Sequence, residues 1–155
     1  MDNTNKIKHL EMIENIIERM AKNCFQLKAW TMTLVVLIGG LAAKDTERKF
    51  IIIAFIPIIV FWLLDTYYLR LERQYRILYK TVTEKRDDEI DFSMDLSQIQ
   101  SLSISDSKKL CPLNCFLSTT EIVFYLPITV TLGVIIYILK LPTPIGVMNL
   151  EKSIL

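Results

Sequence analysis

Apolar residues are concentrated in three long stretches of the chain, with polar segments before, between and after them. Residues 29–43 and 50–64 are runs of fifteen residues without a charge, and residues 122–139 form a third run of eighteen. Helices of soluble bundles normally carry a polar stripe, and these runs have none. A helix needs roughly 20 residues to cross a bilayer core of about 30 Å. We therefore predict three transmembrane helices rather than three buried helices of a soluble bundle.

The first two runs reach spanning length when they extend past the nearest charge. Residues 25–43 then contain Lys28 near one end, where a lysine side chain reaches back to the headgroups. Residues 50–69 contain a single charge, Asp65. The third span is predicted at residues 119–141, because the motif Ser-Thr-Thr-Glu directly before its apolar run matches a capping box.

The polar segments next to the first two spans continue in helical phase. Residues 1–28 and 70–86 carry apolar residues every three or four positions. On the first helix this face consists of Ile7, Leu10, Ile13, Ile17, Met20 and Cys24. We predict an all-α membrane protein with three transmembrane helices, of which the first two extend into a long cytoplasmic antiparallel helical hairpin.

The remaining segments are predicted to be connections. Residues 44–49 form a short outer turn, residues 87–117 an acidic and serine-rich cytoplasmic linker, and residues 142–155 an outer C-terminal tail. Pro57 and Pro127 lie inside the second and third spans, where each removes a helix hydrogen bond and is expected to kink its helix.

The distribution of lysine and arginine sets the predicted orientation. Thirteen of these residues lie before the first span or between the second and third, against five on the other side. We therefore predict a cytoplasmic N-terminus and an outer C-terminus, with Trp30 and Trp62 as aromatic anchors near the inner interface. The polar first segment lacks the pattern of a cleaved signal peptide, so the first span would act as an uncleaved anchor.

Composition narrows the function classes. The net charge of +1 provides no field that attracts nucleic acid. The chain has one histidine and three cysteines, with no serine or cysteine nucleophile beside a histidine base. Cys111 and Cys115 lack the second ligand pair of a zinc site. We predict that the protein is not an enzyme and has no catalytic residue, metal site or cofactor.

Asp65 is the one acidic residue that interrupts a span. A carboxylate at the centre of a membrane helix costs roughly 2.5–3.5 kcal/mol on insertion scales, and less near the interface. Three interpretations remain open: a charge pair with Lys28, an interfacial carboxylate that marks the end of the span, or an ion or proton site. If Lys28 lies opposite Asp65, the same register brings Glu18 towards Arg76.

Two further groups of residues are candidates for binding or packing. Arg70, Arg73 and Arg76 follow the second span, and they are predicted to contact anionic lipid headgroups as a juxtamembrane positive belt, or else phosphate groups. Gly39 and Ala43 match a small-xxx-small pattern, which permits close helix packing within the chain or between copies.

Two segments of the sequence resemble a known family. Residues 9–30 read HLEMIENIIERMAKNCFQLKAW and residues 61–73 read FWLLDTYYLRLER. Together they look like a family of small bacterial inner-membrane proteins of uncharacterised function, some of which resemble accessory or effector proteins of anti-phage defence operons. The resemblance covers residues 7–95 and the third span. It implies a bacterial inner membrane but no chemistry and no functional residue.

Two functions of different classes follow from these patterns. The first is a membrane-anchored interaction or scaffolding module, whose cytoplasmic helical hairpin binds a soluble protein or a second copy. The second is an oligomeric effector that perturbs the membrane or forms a pore, in the context of phage defence. The predicted partners are the lipid bilayer, a homo-oligomer and a cytoplasmic protein, with no nucleic acid.

Overall fold

The computed structural model describes residues 4–44, 50–96 and 110–140, and within these ranges every regular element is a helix. The helices are α1 (Thr4–Lys44), α2 (Phe50–Ile53), α3 (Phe55–Glu84), a 3-10 helix (Asp87–Glu89), α4 (Pro112–Phe116) and α5 (Thr119–Lys140). The prediction of an all-α protein is confirmed. The predicted outer turn after Lys44 and the predicted tail at 142–155 lie outside the described residues.

Helix α1 runs through 41 residues without a break. At 1.5 Å per residue it is about 60 Å long, twice the thickness of a bilayer core. No proline interrupts it, and its glycines, Gly39 and Gly40, lie in its last two turns. The polar segment and the first predicted span are therefore parts of one helix.

The second predicted span is divided into two helices. Helix α2 ends at Ile53, a turn follows at Ala54, and α3 begins at Phe55. Pro57 explains the break, because a proline ring clashes with the carbonyl four residues earlier, here that of Ile53, and provides no N–H for it. Pro57 thus lies in the first turn of α3, where its lack of an N–H is tolerated. Helix α5, by contrast, continues through Pro127.

Helices α1 and α3 pack along their polar halves with opposite chain directions. The Lys6 ammonium donates to the carbonyl of Lys85 at 2.6 Å, whereas Lys28 on α1 reaches Asp65 on α3. Ile13, Leu78 and Val82 form the apolar core of this contact. The buried face of α1 is His9, Ile13, Met20, Cys24, Leu27 and Thr31. Ile7, which the helical pattern assigned to this face, is half exposed, and His9 is buried in its place.

Residues 87–96 and 110–117 of the predicted linker are described in the structure, and both parts contribute residues to the packing; residues 97–109 lie outside the described residues. Ile90, Met94 and Leu96 pack against the core between α1 and α3, and Leu110 joins them from the other end. The centroids of the Phe92 and His9 rings are 5.4 Å apart. The backbone of Phe92 has a φ of 53°, a conformation that is uncommon for a bulky residue. The apolar residues scattered among the acidic ones are therefore packing residues, which composition alone did not reveal.

Helix α5 packs against α3 through a second apolar cluster. Ala54, Ile58, Tyr125 and Leu132 are its buried members, with Val35 of α1 and other partly buried residues around them. The outer surfaces of the same helices are apolar and exposed. We call this exposed apolar surface the apolar belt. Its residues include Trp30, Met32, Val36, Leu37, Leu41, Ile52, Ile56, Ile59, Val60, Leu63, Val123, Leu126, Val130, Val134 and Tyr137.

Two helices, α1 and α5, are long and apolar enough to cross a membrane. Only 11% of the most apolar stretch of α1 and 17% of that of α5 are buried. The core helices of a soluble protein would be mostly buried instead. Helix α3 is not long and apolar enough by the same measure. The break at Ala54 shortens its apolar part, and the charged residues Asp65 and Arg70 come after that part.

A buried charge cluster between three helices

Three charged side chains from three different helices meet where the apolar belt ends. Lys28 of α1 forms ion pairs with Asp65 of α3 and with Glu121 of α5, the latter at 3.1 Å between Nζ and Oε1. The Asp65 side chain is 0% exposed and that of Glu121 is 1% exposed, while Lys28 remains 21% exposed. The structure thus brings Lys28 and Asp65 together and adds a second carboxylate.

Polar and aromatic side chains surround Asp65. The Tyr125 hydroxyl donates to Asp65 Oδ2 at 3.2 Å, and the Cys24 thiol lies 3.9 Å from the Asp65 backbone carbonyl. The ring of Trp62, one turn before Asp65, stacks on Tyr125 at 5.3 Å between centroids and on Phe116 at 4.2 Å. These rings exclude water from the carboxylate, so its interaction with the ammonium is stronger than at an open surface.

Glu121 reaches the cluster because of where α5 begins. The backbone N–H groups of Glu121 and Ile122 donate to the Ser118 carbonyl, so the helix starts where the capping box predicted. The side chains of the motif bind elsewhere: Ser118 Oγ accepts from Arg73 at 2.9 Å, and Glu121 binds Lys28. The sequence pattern places Glu121 in the capping box and does not indicate its contact with Lys28. The available signal was that Glu121 is the one acidic residue in the third span.

The cluster contains more negative than positive charge. One ammonium faces two carboxylates, and among the described residues Asp65 Oδ1 and Glu121 Oε2 are buried without a hydrogen-bond partner. Burial of an uncompensated carboxylate is costly. A metal cation in this position would have to compete with the ammonium, and the described residues contain no group of three or more metal-ligating side chains.

The three predicted juxtamembrane arginines have different environments. Arg70 and Arg76 are exposed. Arg76 pairs with Glu72 at 2.8 Å and lines the same groove as Glu18, the residue that the predicted register brings towards it. Arg73 turns towards the start of α5, where it donates to Ser118 and lies 3.5 Å from Cys115 Sγ. Arg73 therefore connects helices. It is less available for lipid headgroups than Arg70.

Burial raises the pKa of the Cys115 thiol, and the nearby cations Arg73 and Arg70 only partly offset this effect. Cys111 is half-buried, whereas Cys24 and Cys115 are buried.

The small-residue pattern on α1 is not used for packing at Gly39. A Cβ atom placed on Gly39 or Gly40 would have no atom of the described residues within 4 Å. The side chain of Ala43 lies outside the described part of the structure.

No family model, no curated protein and no solved structure matches the chain. The resemblance to small bacterial inner-membrane proteins therefore stays a prediction.

Proposed function

We propose that the chain is an integral membrane protein with three spans, and that the polar halves of α1 and α3 form a cytoplasmic hairpin that binds a soluble partner. The apolar belt supports the membrane part of this proposal. From Lys28 to Leu41 on α1, and from Glu121 to Tyr137 on α5, the belt is about 20–25 Å high. This approaches the ~30 Å of a bilayer core, and soluble monomers rarely expose apolar patches larger than a few hundred Å².

The orientation follows from the positions of the charges. Lys28, Asp65 and Glu121 would lie at the inner edge of the belt, since the lysines and arginines predominate on the side of the polar helix halves. The Thr4 end of α1 would then project about 35 Å into the cytoplasm, with the end of α3 beside it. A bacterial inner membrane is the location that the family resemblance implies.

Membrane insertion and orientation have a direct test. Single cysteines at Met12 and at Ser153 are introduced into a variant whose native cysteines are replaced by serine, and intact cells are treated with an impermeant thiol reagent. We expect labelling at position 153, no labelling at position 12 until the cells are opened, and retention of the protein in alkali-washed membranes. Release by alkali would refute the membrane assignment, and labelling of position 12 in intact cells would refute the orientation.

The proposed binding surface is a groove between α1 and α3. It has a volume of ≈ 560 Å³ and is lined by Glu14, Ile17, Glu18, Ala21, Arg76 and Tyr79. Arg76 is paired with Glu72, whereas no ion pair within the described residues involves Glu14 or Glu18. The groove therefore presents two uncompensated carboxylates beside apolar and aromatic surface. We propose a basic protein segment as its occupant.

The groove is tested with a photo-crosslinking amino acid at Ala21 in living cells, and with the same residue at Met12, on the opposite side of α1, as the control. We expect a soluble protein to be attached from position 21 only. The adduct should disappear with Glu14→Lys and Glu18→Lys, and persist with Glu84→Lys, which makes the same charge change outside the groove. Equal adducts at both positions, or adducts that ignore the charge reversal, would exclude this surface.

A second candidate is an oligomeric effector that perturbs the membrane. It is favoured by the open space at Gly39 and Gly40, which would admit a helix of another copy. If this is the function, induced expression should lower the membrane potential, and Gly39→Leu should reduce the effect more than Gly133→Leu on α5, where the space is equally open. An unchanged potential and unchanged growth would exclude a constitutive pore.

A further inference from the structure

The charge cluster between α1, α3 and α5 differs from an ordinary ion pair in its stoichiometry. Lys28 interacts with two carboxylates, both of which are almost completely buried. The two carboxyl groups lie next to each other, because the same Lys28 ammonium contacts both. Each retains one buried oxygen that has no donor among the described residues, Oδ1 of Asp65 and Oε2 of Glu121.

Two ionised carboxylates side by side in a water-excluded site repel each other, and a single ammonium neutralises only one of them. One additional proton would neutralise the excess negative charge and supply a missing hydrogen-bond donor. It would bring the cluster to zero net charge, and it would convert one carboxylate oxygen into a donor for the other carboxylate. Two carboxyl groups that share a site commonly hold one proton in this way.

We propose that Lys28, Asp65 and Glu121 form a binding site for a single proton, which the two carboxyl groups hold beside the lysine ammonium. The proton comes from water on the side of the partly exposed Lys28 and returns there on release. The proposal depends on the geometry of this cluster and not on the cytoplasmic groove, so it can be tested in the purified protein.

The bound proton would also control how α5 is attached. Glu121 and Tyr125 are the residues of α5 that bind Lys28 and Asp65 through polar contacts. Release of the proton leaves two negative charges in contact, one on α3 and one on α5, and their repulsion opposes the packing of α5. The titratable and charged groups around the site are Lys28 and Cys24 of α1, Asp65, Glu72 and Arg73 of α3, Cys115 of α4, and Glu121 and Tyr125 of α5.

Trp62 is a built-in reporter of this attachment. Its ring stacks on Tyr125 of α5 and on Phe116 of α4, so loosening of α5 should change its fluorescence. Trp30, the other tryptophan, contacts Phe61 and is exposed. A Trp30→Phe variant leaves Trp62 as the only tryptophan, whose emission is excited selectively at the red edge of the tryptophan absorption band.

The experiment is infrared spectroscopy of the full-length protein in phospholipid vesicles at neutral pH, in H₂O and after exchange into D₂O. We expect a carboxylic acid C=O band that shifts in D₂O. Glu121→Gln and Asp65→Asn should each abolish it, since the remaining carboxylate and Lys28 form a neutral pair. Lys28→Gln should retain the band, because the two carboxyl groups still share the site. Glu84→Gln, a change at an exposed carboxylate, is the matched control and should also retain it.

The same samples give a second measurement. In the Trp30→Phe background, Trp62 emission should change as the pH rises in the wild-type cluster and stay constant with Glu121→Gln. Loss of the infrared band in only one of the two carboxyl variants would place the proton on that residue alone and contradict a proton shared by the two carboxyl groups. Absence of the band from the wild-type protein at neutral pH, or its survival in both carboxyl variants, would overturn the proposal. If one variant fails to fold, the wild-type spectrum and the other variant still decide.

Discussion

At the scale of single residues, burial distinguishes the charged side chains that hold helices together from those that only interact with solvent at the surface. Lys80 and Glu84 form a pair in which both side chains are largely exposed, and such pairs contribute only ~0–1 kcal/mol. Lys28 instead holds two carboxylates that have no access to water. Loss of its ammonium therefore leaves uncompensated charge inside the protein.

We expect Lys28→Gln to destabilise the protein by about 3–5 kcal/mol, the cost of breaking a buried ion pair. Asp65→Asn in the same chain should restore part of this loss, because it removes the charge that Lys28 no longer neutralises. The measurement is chemical denaturation in detergent, with Lys22→Gln at an exposed position of α1 as control. Additive effects of the two substitutions would mean that the residues do not interact.

His9 is a buried polar residue whose ring nitrogens form no stabilising hydrogen bond within the described residues. Its side chain is fully buried, and neither ring nitrogen has a hydrogen-bond partner within the described residues. Removing an unpaired buried polar group while keeping its volume relieves a cost of about 1–3 kcal/mol. We expect His9→Leu to raise the melting temperature, and His9→Ala, which leaves a cavity beside Phe92, to lower it. A lower melting temperature for His9→Leu would indicate that the imidazole has an essential partner.

At the scale of elements, the helix ends were easier to predict than their connections. The Ser-Thr-Thr-Glu motif located the start of α5, because the preference for these residues at a helix start is a local property of the sequence. The side chains of Ser118 and Glu121 nevertheless bind Arg73 and Lys28. The break before α3 was predicted only as a kink within a continuous span. The linker was predicted from its acidic composition, although its apolar residues pack on the α1–α3 core. Packing of this kind depends on residues that are distant in sequence.

Pro57 provides a test of the break between α2 and α3. We expect Pro57→Ala to supply an N–H for the Ile53 carbonyl and to join the two helices through Ala54. Hydrogen exchange measured by mass spectrometry should then show slower exchange in residues 53–58. Pro112→Ala is the control, because Pro112 lies in the first turn of α4, where a proline is tolerated. Unchanged exchange near Ala54 would show that the turn has another cause.

Helix α4 is short, and the rate at which Cys115 is alkylated can show whether the helix stays packed against α3. Cys115 is buried against Arg73, and burial raises its pKa. Since the thiolate is the reactive form, a raised pKa means less thiolate at a given pH. We expect Cys111 to be alkylated before Cys115 at neutral pH, with Cys115 reacting only at higher pH, as measured by mass spectrometry of timed samples. Equal rates at neutral pH would show that α4 does not shield Cys115.

At the scale of the whole molecule, apolar and charged surfaces lie at opposite ends of the same helices. Val36 is 67% exposed in the apolar belt, and Met12 is 41% exposed in the polar half of α1. In water both positions would tolerate a charge. In a bilayer only Met12, which lies in the polar half of α1, would tolerate a charge. An arginine at the centre of a membrane helix costs roughly 2.5–3.5 kcal/mol.

We therefore expect Val36→Arg to reduce the amount of protein inserted into membranes, and Met12→Arg to leave it unchanged. The measurement is the fraction of protein that sediments with alkali-washed membranes from induced cells. If Val36→Arg increases the soluble, folded fraction, the belt is the interface of a soluble assembly and not the surface of a membrane protein.

The sequence by itself determined the properties that depend on local pattern. Helical periodicity and the absence of breakers specify the long helix α1, and the capping motif specifies where α5 begins. The runs of apolar residues specify which surfaces avoid water. Lys28 and Asp65 were recognised as exceptions because each interrupts such a run, and a charge in an apolar run is informative without any knowledge of its surroundings.

Only the tertiary structure decided which side chains meet. Glu121 is 93 residues away from Lys28 in the chain and has a complete local explanation as part of a capping box. No periodicity connects it to the cluster; the packing of α5 on α3 does. Likewise, His9 rather than Ile7 is buried, and its ring lies against that of Phe92, a residue distant in the sequence. The pair predicted from the sequence is therefore a trio, and its unbalanced charge is a property of the fold.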